Sequence, residues 1–198
     1  MDDILKIRLD LDDAITHGDL TKARKLSQEG LSISRDRELL GEVEYFNGQI
    51  EILSENYPKA IKHFDKAIEY NPSDGASYND RALCMIEMGI IDDALPYFDR
   101  GIEVEPDFAT IHHNKGWLLN KIGRNREAIG CFSKALELDD ERAVTYENLA
   151  DAYWQLDDYK SALKALNKAL DVLDPHYLHI RQELLDKIRN IQDGVKHP

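Results

Sequence analysis

The chain repeats itself every 34 residues, and this period limits the folds open to it more than any other feature. Blocks beginning at Gly41, Gly75, Ala109 and Ala143 run in unbroken step, and each carries small residues in the same three columns. The first column is Gly48, Ala82, Gly116 and Ala150; the second is Ala60, Ala94, Ala128 and Ala162; the third is Ala67, Gly101, Ala135 and Ala169. A bulky residue lies between the second and third columns in every block: Phe64, Phe98, Phe132 and Leu166. Small residues let two helix backbones approach closely, and the bulky residue fills the space they leave. Gly89 and Gly123 fall where a left-handed residue would end a first helix, and Pro72 and Pro106 where a second helix must stop. Each block is therefore expected to be a helix-turn-helix that buries its apolar face only against its neighbours.

These columns, with NYPKAIKHFDKAIEYNP and REAIGCFSKALELDD as the clearest instances, resemble the tetratricopeptide-repeat (TPR) family over residues 41–175. The resemblance implies an all-α fold, a right-handed α-solenoid whose first helices line a concave face and whose second helices form the back. The expected organisation is a single solenoid over 1–198: a degenerate repeat at 4–37, regular repeats at 41–74, 75–108, 109–142 and 143–176, and a capping helix at 177–193. In the degenerate repeat Gly18, Ala23 and Gly30 fit their columns, but Leu11 stands where a small residue belongs. Three residues are also inserted there, placed near Glu38 to Leu40, and Leu11 is expected to force the two helices apart. Asp174-Pro175 is expected to start the capping helix, with Tyr177, Ile180, Leu184, Ile188 and Ile191 as its apolar stripe and 194–198 fraying. Pro96 should bend the start of a second helix, Pro58 should sit harmlessly in a first turn, and Asp140 should cap in place of the missing inter-repeat proline.

The net charge of −13, from 25 Lys and Arg against 38 Asp and Glu, repels phosphate backbones and anionic membranes, so neither nucleic acid nor membrane is an expected partner. Cys84 and Cys131 form no CxxC pair and are expected to be reduced. The acidic N-terminus has no signal-peptide pattern and no apolar run reaches 18 residues, which makes a cytoplasmic protein the expectation. No phosphate loop, GxSxG or HExxH is present. His112 and His113 diverge on a helix, and His176 with His179 is at most a two-ligand site. The expectation is no enzyme, no metal and no cofactor.

Projecting each first helix inward gives the candidate peptide-binding residues: Tyr45, Phe46, Gln49; Asn79, Asp80, Leu83; His113, Asn114, Trp117, Asn120; and Glu147, Asn148, Asp151, Trp154. Asn114 and Asn148 hold equivalent places and can pair with the backbone of an extended ligand. Trp117, Trp154, Tyr45 and Phe46 are aromatics that the repeat core does not require, and such groups mark recognition surfaces. Co-chaperone members of the family clamp a terminal carboxylate with Lys, Asn, Asn, Lys and Arg over three repeats. The matching places here hold Tyr45, Gln49, Asp80, Thr110, Asn114 in one window and Asn79, Leu83, Asn114, Val144, Asn148 in the next, with no cation in either, so no clamp is expected. The resemblance thus implies a protein-interaction scaffold for an extended or helical peptide. A basic part of that peptide would lie near 75–108, which holds eight acids against two bases. Weak self-association into a homo-oligomeric scaffold is the second class of function.

Overall fold

The computed structural model describes residues 3–195. Among these the chain forms eleven α-helices and no strand: α1 (Asp3–Thr16), α2 (Leu20–Asp36), α3 (Leu40–Ile52), α4 (Tyr57–Tyr70), α5 (Gly75–Glu87), α6 (Leu95–Val104), α7 (Ala109–Lys121), α8 (Asn125–Leu138), α9 (Ala143–Trp154), α10 (Tyr159–Val172) and α11 (Leu178–Val195). They divide into two compact units, Met1–Pro106 and Asp107–Pro198, where the sequence treats 1–198 as one solenoid. Within unit 1 each of α1 to α6 packs on the next, and within unit 2 each of α7 to α11 does the same. No described helix is long and apolar enough to cross a membrane.

The small-residue columns become the core of each unit. Ala60, Ala94, Ala128 and Ala162 have no exposed surface, and Phe64, Phe98, Phe132 and Leu166 are buried against them. Each such large side chain contributes about 1.5–3 kcal/mol by leaving water. A Cβ on Gly48 would stand 2.6 Å from the Phe64 ring, and one on Gly116 2.8 Å from Phe132, so glycine there lets the ring lie directly on the facing helix.

Each first helix ends in the same hydrogen-bonded turn. The amides of Asp19, Asn56, Ile90, Arg124 and Asp158 donate to the carbonyls of Ala14, Glu51, Met85, Leu119 and Tyr153, five residues back, at 2.8–3.0 Å. That pattern needs a left-handed residue just before the donor. Gly18, Gly89 and Gly123 supply it, but Glu55 and Asp157 hold the same place at φ of 56° and 58°.

Several local expectations are corrected. The three inserted residues, expected near Glu38 to Leu40, lengthen α2 to 17 residues, against 14 in α4, α8 and α10. Leu11, the bulky residue in the small column, is buried in the unit 1 core with Ala23. Pro96 shortens α6 to 10 residues: the helix starts at Leu95, with Asp92 and Asp93 in the preceding turn. The residue before a proline avoids helical geometry and proline has no N–H to donate, so the first turn is the position where it fits. Asp140 does not cap α9; Arg142 holds the cap position, while Asp139 accepts the Glu141 amide. Asp174 folds its carboxylate onto the His176 amide at 2.8 Å, and α11 begins only at Leu178. Leu184, Ile188 and Ile191 are its buried stripe, Gly194 and Val195 are helical, and 196–198 lie outside the described residues.

Candidate functional site

In unit 1 the first helices α1, α3 and α5 present a charged cluster. Arg8 of α1 donates to Glu42 at 2.9 Å and Asp74 at 2.6 Å, with its guanidinium 3.9 Å from the centre of the Tyr45 ring. Burial works against the charge of Arg8, and Tyr45, Asp74 and Glu42 outweigh it and raise its pKa. Asp74, just before α5, also accepts from Ser77. Beside this clasp Gln49 Nε2 donates to Asp80 Oδ2, and Asn79 Nδ2 donates to Asp80 Oδ1 at 2.8 Å. Burial pushes the Asp80 carboxyl up to about 7, against the Asn79 hydrogen bond that lowers it.

In unit 2 the first helices α7 and α9 centre on a neutral histidine, with an ion-paired lysine contributed by the capping helix α11. Buried His113 places Nδ1 2.9 Å from Thr145 Oγ1 and Nε2 3.5 Å from Asn148 Nδ2, with its ring 5.8 Å from that of Phe132. Burial, with the Arg142 charge added, lowers its pKa to about 4, so it is neutral near pH 7. Arg142 donates to Thr110 at 2.6 Å. Lys187 of α11 donates to Glu147 at 2.8 Å and Asp151 at 3.3 Å. The Lys121 ammonium stands 4.8 Å from the Trp117 ring centre.

Of the residues expected to meet a peptide, five are buried. Phe46 is corrected outright: it has no exposed surface and its ring covers Gly30, where a Cβ would overlap it, so it belongs to the core. Tyr45, Gln49, Asn79 and His113 are buried in the polar networks just described, and act on neighbours instead of offering surface. Asp80, Leu83, Asn114, Trp117, Asn120, Glu147, Asn148 and Asp151 are half-buried. Trp154 is 40% exposed and meets Tyr159 edge-on at 4.9 Å between ring centres. Among the described residues no three His, Cys, Asp or Glu stand together as metal ligands. Cys84 and Cys131 are free thiols, and burial pushes that of Cys84 up.

Two family models, both described as tetratricopeptide repeat, match residues 48–103 and 107–174. This chain belongs to the tetratricopeptide-repeat family. It is 39% identical over 41 residues to Hsp70-Hsp90 organizing protein 3 of Arabidopsis thaliana, covering 21% of this chain and 7% of that protein. It is 36% identical over 56 residues to the Hsp70-Hsp90 organizing protein of Triticum aestivum, covering 28% and 10%. The matches therefore span a tenth or less of these relatives. Among solved structures, a thermophilic TPR protein of Thermus thermophilus, TTC0263, overlays with a TM-score of 0.72 at 18% identity, covering 91% of this chain and 95% of that one. YrrB, described as a TPR protein with an unusual peptide-binding site, gives 0.60 at 21% identity over 87% and 88%. MamA of Desulfovibrio magneticus RS-1 gives 0.60 at 19% over 87% and 96%. These likenesses show a shared fold, an all-α solenoid of helical repeats.

Within the TPR columns, the residues the sequence reading missed have identifiable signals. Arg8 holds the place in the degenerate repeat that Tyr45, Asn79, His113 and Glu147 hold in the regular ones, so extending the inward projection to residues 4–37 finds it. Thr145 stands two residues after the start of its TPR block, as Ser77 and Ile111 do, and a buried hydroxyl needs a partner. Lys187 lies on the capping helix, for which only the apolar stripe was projected.

Proposed function

We propose that this TPR chain is a non-catalytic protein-interaction scaffold whose unit 2 first-helix face holds an extended or helical peptide segment of a partner. The observation that carries the reading is the contrast in accessible groups. The unit 1 face is occupied by its own Arg8 clasp, whereas unit 2 leaves Asn114, Trp117 and Asn148 half-buried and Trp154 exposed beside the hydrogen-bonded His113–Thr145 pair. Aromatic rings supply rigid apolar contact and carboxamides supply backbone pairing, the combination that extended peptides use. A carboxylate clamp is not part of the reading, because no cation stands at the clamp places.

A basic segment elsewhere in the partner would be drawn towards unit 1, which carries 23 Asp and Glu against 12 Lys and Arg. That attraction acts mainly on the rate of association and weakens with salt.

The test is a fluorescence titration of the full chain with a dodecamer selected on it from a phage-displayed random pool. Trp117 emission should change on binding, and the Asn114→Ala/Asn148→Ala double variant should keep its helical circular dichroism while losing affinity. Unchanged tight binding by the folded double variant removes this face from the reading.

A further inference from the structure

We propose that His113 is a positioning residue that fixes the carboxamide of Asn148, holding its nitrogen inward so that its oxygen serves ligand N–H donors. The proposal rests on the unit 2 face being the binding face.

Asn148 Nδ2 carries only hydrogens, so the His113 Nε2 that it faces must offer a lone pair. A neutral imidazole has one acceptor and one donor, which puts the proton on Nδ1 and makes the buried Thr145 hydroxyl oxygen, 2.9 Å away, the acceptor. The ring cannot turn freely, being buried against Phe132 on one side and tied to Thr145 on the other. Flipping the Asn148 amide would set its oxygen against the Nε2 lone pair of this tautomer; the alternative puts the proton on Nε2 and has the Thr145 hydroxyl donate to Nδ1, and the ring tautomer distinguishes the two. The imidazole keeps this neutral form because it is buried beside Arg142.

The consequence is a preference in ligand chemistry. With its nitrogen pinned, Asn148 presents an acceptor, so the partner should place a backbone N–H or a side-chain N–H donor opposite it, and a carbonyl at that point is disfavoured. The same column in unit 1 is set in the opposite sense, since Gln49 of the preceding first helix donates to Asp80. In both units a side chain of one repeat presets the column residue of the next.

The first test uses nitrogen-15 NMR of the histidine rings in the full chain. His113 should be the Nδ1–H tautomer near neutral pH and titrate near pH 4. Asn148→Asp, which replaces the amide by an acceptor, should move the proton to Nε2 and raise the His113 pKa by more than about one unit. An Nε2–H tautomer in the unsubstituted chain, or a His113 indifferent to N148D, overturns the proposal whether or not peptides bind. The second test is affinity for the same phage-selected dodecamer. His113→Phe keeps a ring against Phe132 but removes the acceptor, and should weaken binding about tenfold, as Asn148→Ala does, with the double variant no worse than the weaker single. Should H113F fail to fold, His113→Leu replaces it, with the same loss and the same non-additivity with Asn148→Ala expected. Additive losses overturn the positioning role. An N148A variant that binds like the unsubstituted chain overturns the binding-face reading and the ligand half of this proposal, even where the tautomer is as expected.

Discussion

Unit 1 holds 23 acids and 12 bases, unit 2 holds 15 and 13, yet the two share one packing scheme of small columns and buried rings. The difference lies in the first helices. In unit 1 three of them are tied by the half-buried guanidinium of Arg8 between Glu42 and Asp74, and the column residue Asp80 is a carboxylate held by amide donors. In unit 2 the corresponding tie is a neutral imidazole between Thr145 and Asn148. The TPR core specifies the helices and their spacing; the polar face above it is free to differ, and that freedom is where recognition can be set.

Breaking the charged side of the comparison should have the largest effect. Arg8→Ala leaves Asp74 and Glu42 without their cation, and should cost about 3 kcal/mol or more, with faster amide exchange concentrated in α1, α3 and α5. The same exchange measured across α7 to α11 should hardly change; uniform loss over both units would contradict the separation.

Asp80→Asn probes the same cluster through pH. Asp80 is faced by Arg8 and Asp12 from α1, Tyr45 and Gln49 from α3, and Asp74 and Asn79 near it on the α5 side. Its folded pKa of about 7 lies above the ordinary 3.8, so it binds its proton more tightly when folded. It therefore withdraws stability as pH rises through that interval and returns it as pH falls. D80N should be more stable than the unsubstituted chain above pH 7 by roughly 2 kcal/mol, less than the full shift because one amide donor loses its acceptor. In denaturant melts over a pH series the advantage should shrink as pH falls from 7 and turn into a deficit towards pH 4, since the linkage changes by about 4 kcal/mol over that range.

Gly48→Ala and Gly116→Ala test the shared part. Each sets a methyl against a buried ring, Phe64 or Phe132, and each should cost about 1–2 kcal/mol. Similar losses in the two units would sharpen the contrast with Arg8; a large inequality would show that the cores differ as well. The smallest effect, of opposite sign, is expected at the turns. Glu55→Gly relieves a left-handed backbone and should raise stability by about 0.5–1 kcal/mol in thermal melts. Asp157→Gly should gain less, because Asp157 accepts the Tyr159 hydroxyl at 2.7 Å.

The helices and the core were legible because they follow from spacing. Ala60, Ala94, Ala128 and Ala162 recur every 34 residues and all are buried, and Gly89 and Gly123 adopt the left-handed backbone expected of them. The helix ends were less legible: Pro96 and Asp174 mark boundaries in sequence, but the geometry that follows each shifts the start of α6 and α11 by several residues. The first-helix face was least legible. An inward projection ranks residues by angle around a helix and cannot tell a surface group from one buried by its neighbours. Phe46 stands in the column of Asn114 and Asn148, yet Gly30 of the preceding helix gives its ring a seat in the core. His113 and Gln49 hold groove angles, yet their partners on the next first helix draw them in. Such pairings join residues more than 30 positions apart, and a period describes each column without describing what bridges two columns.

The most direct measurement is side-chain and backbone chemical-shift mapping of the full chain titrated with the phage-selected dodecamer. The expected result is saturable perturbation of the Asn114 and Asn148 carboxamides and the Trp117 indole, with the Arg8, Gln49 and Phe46 signals unmoved. Perturbation confined to the second helices, or centred on the Arg8 cluster while the unit 2 carboxamides stay still, would contradict a binding face on unit 2.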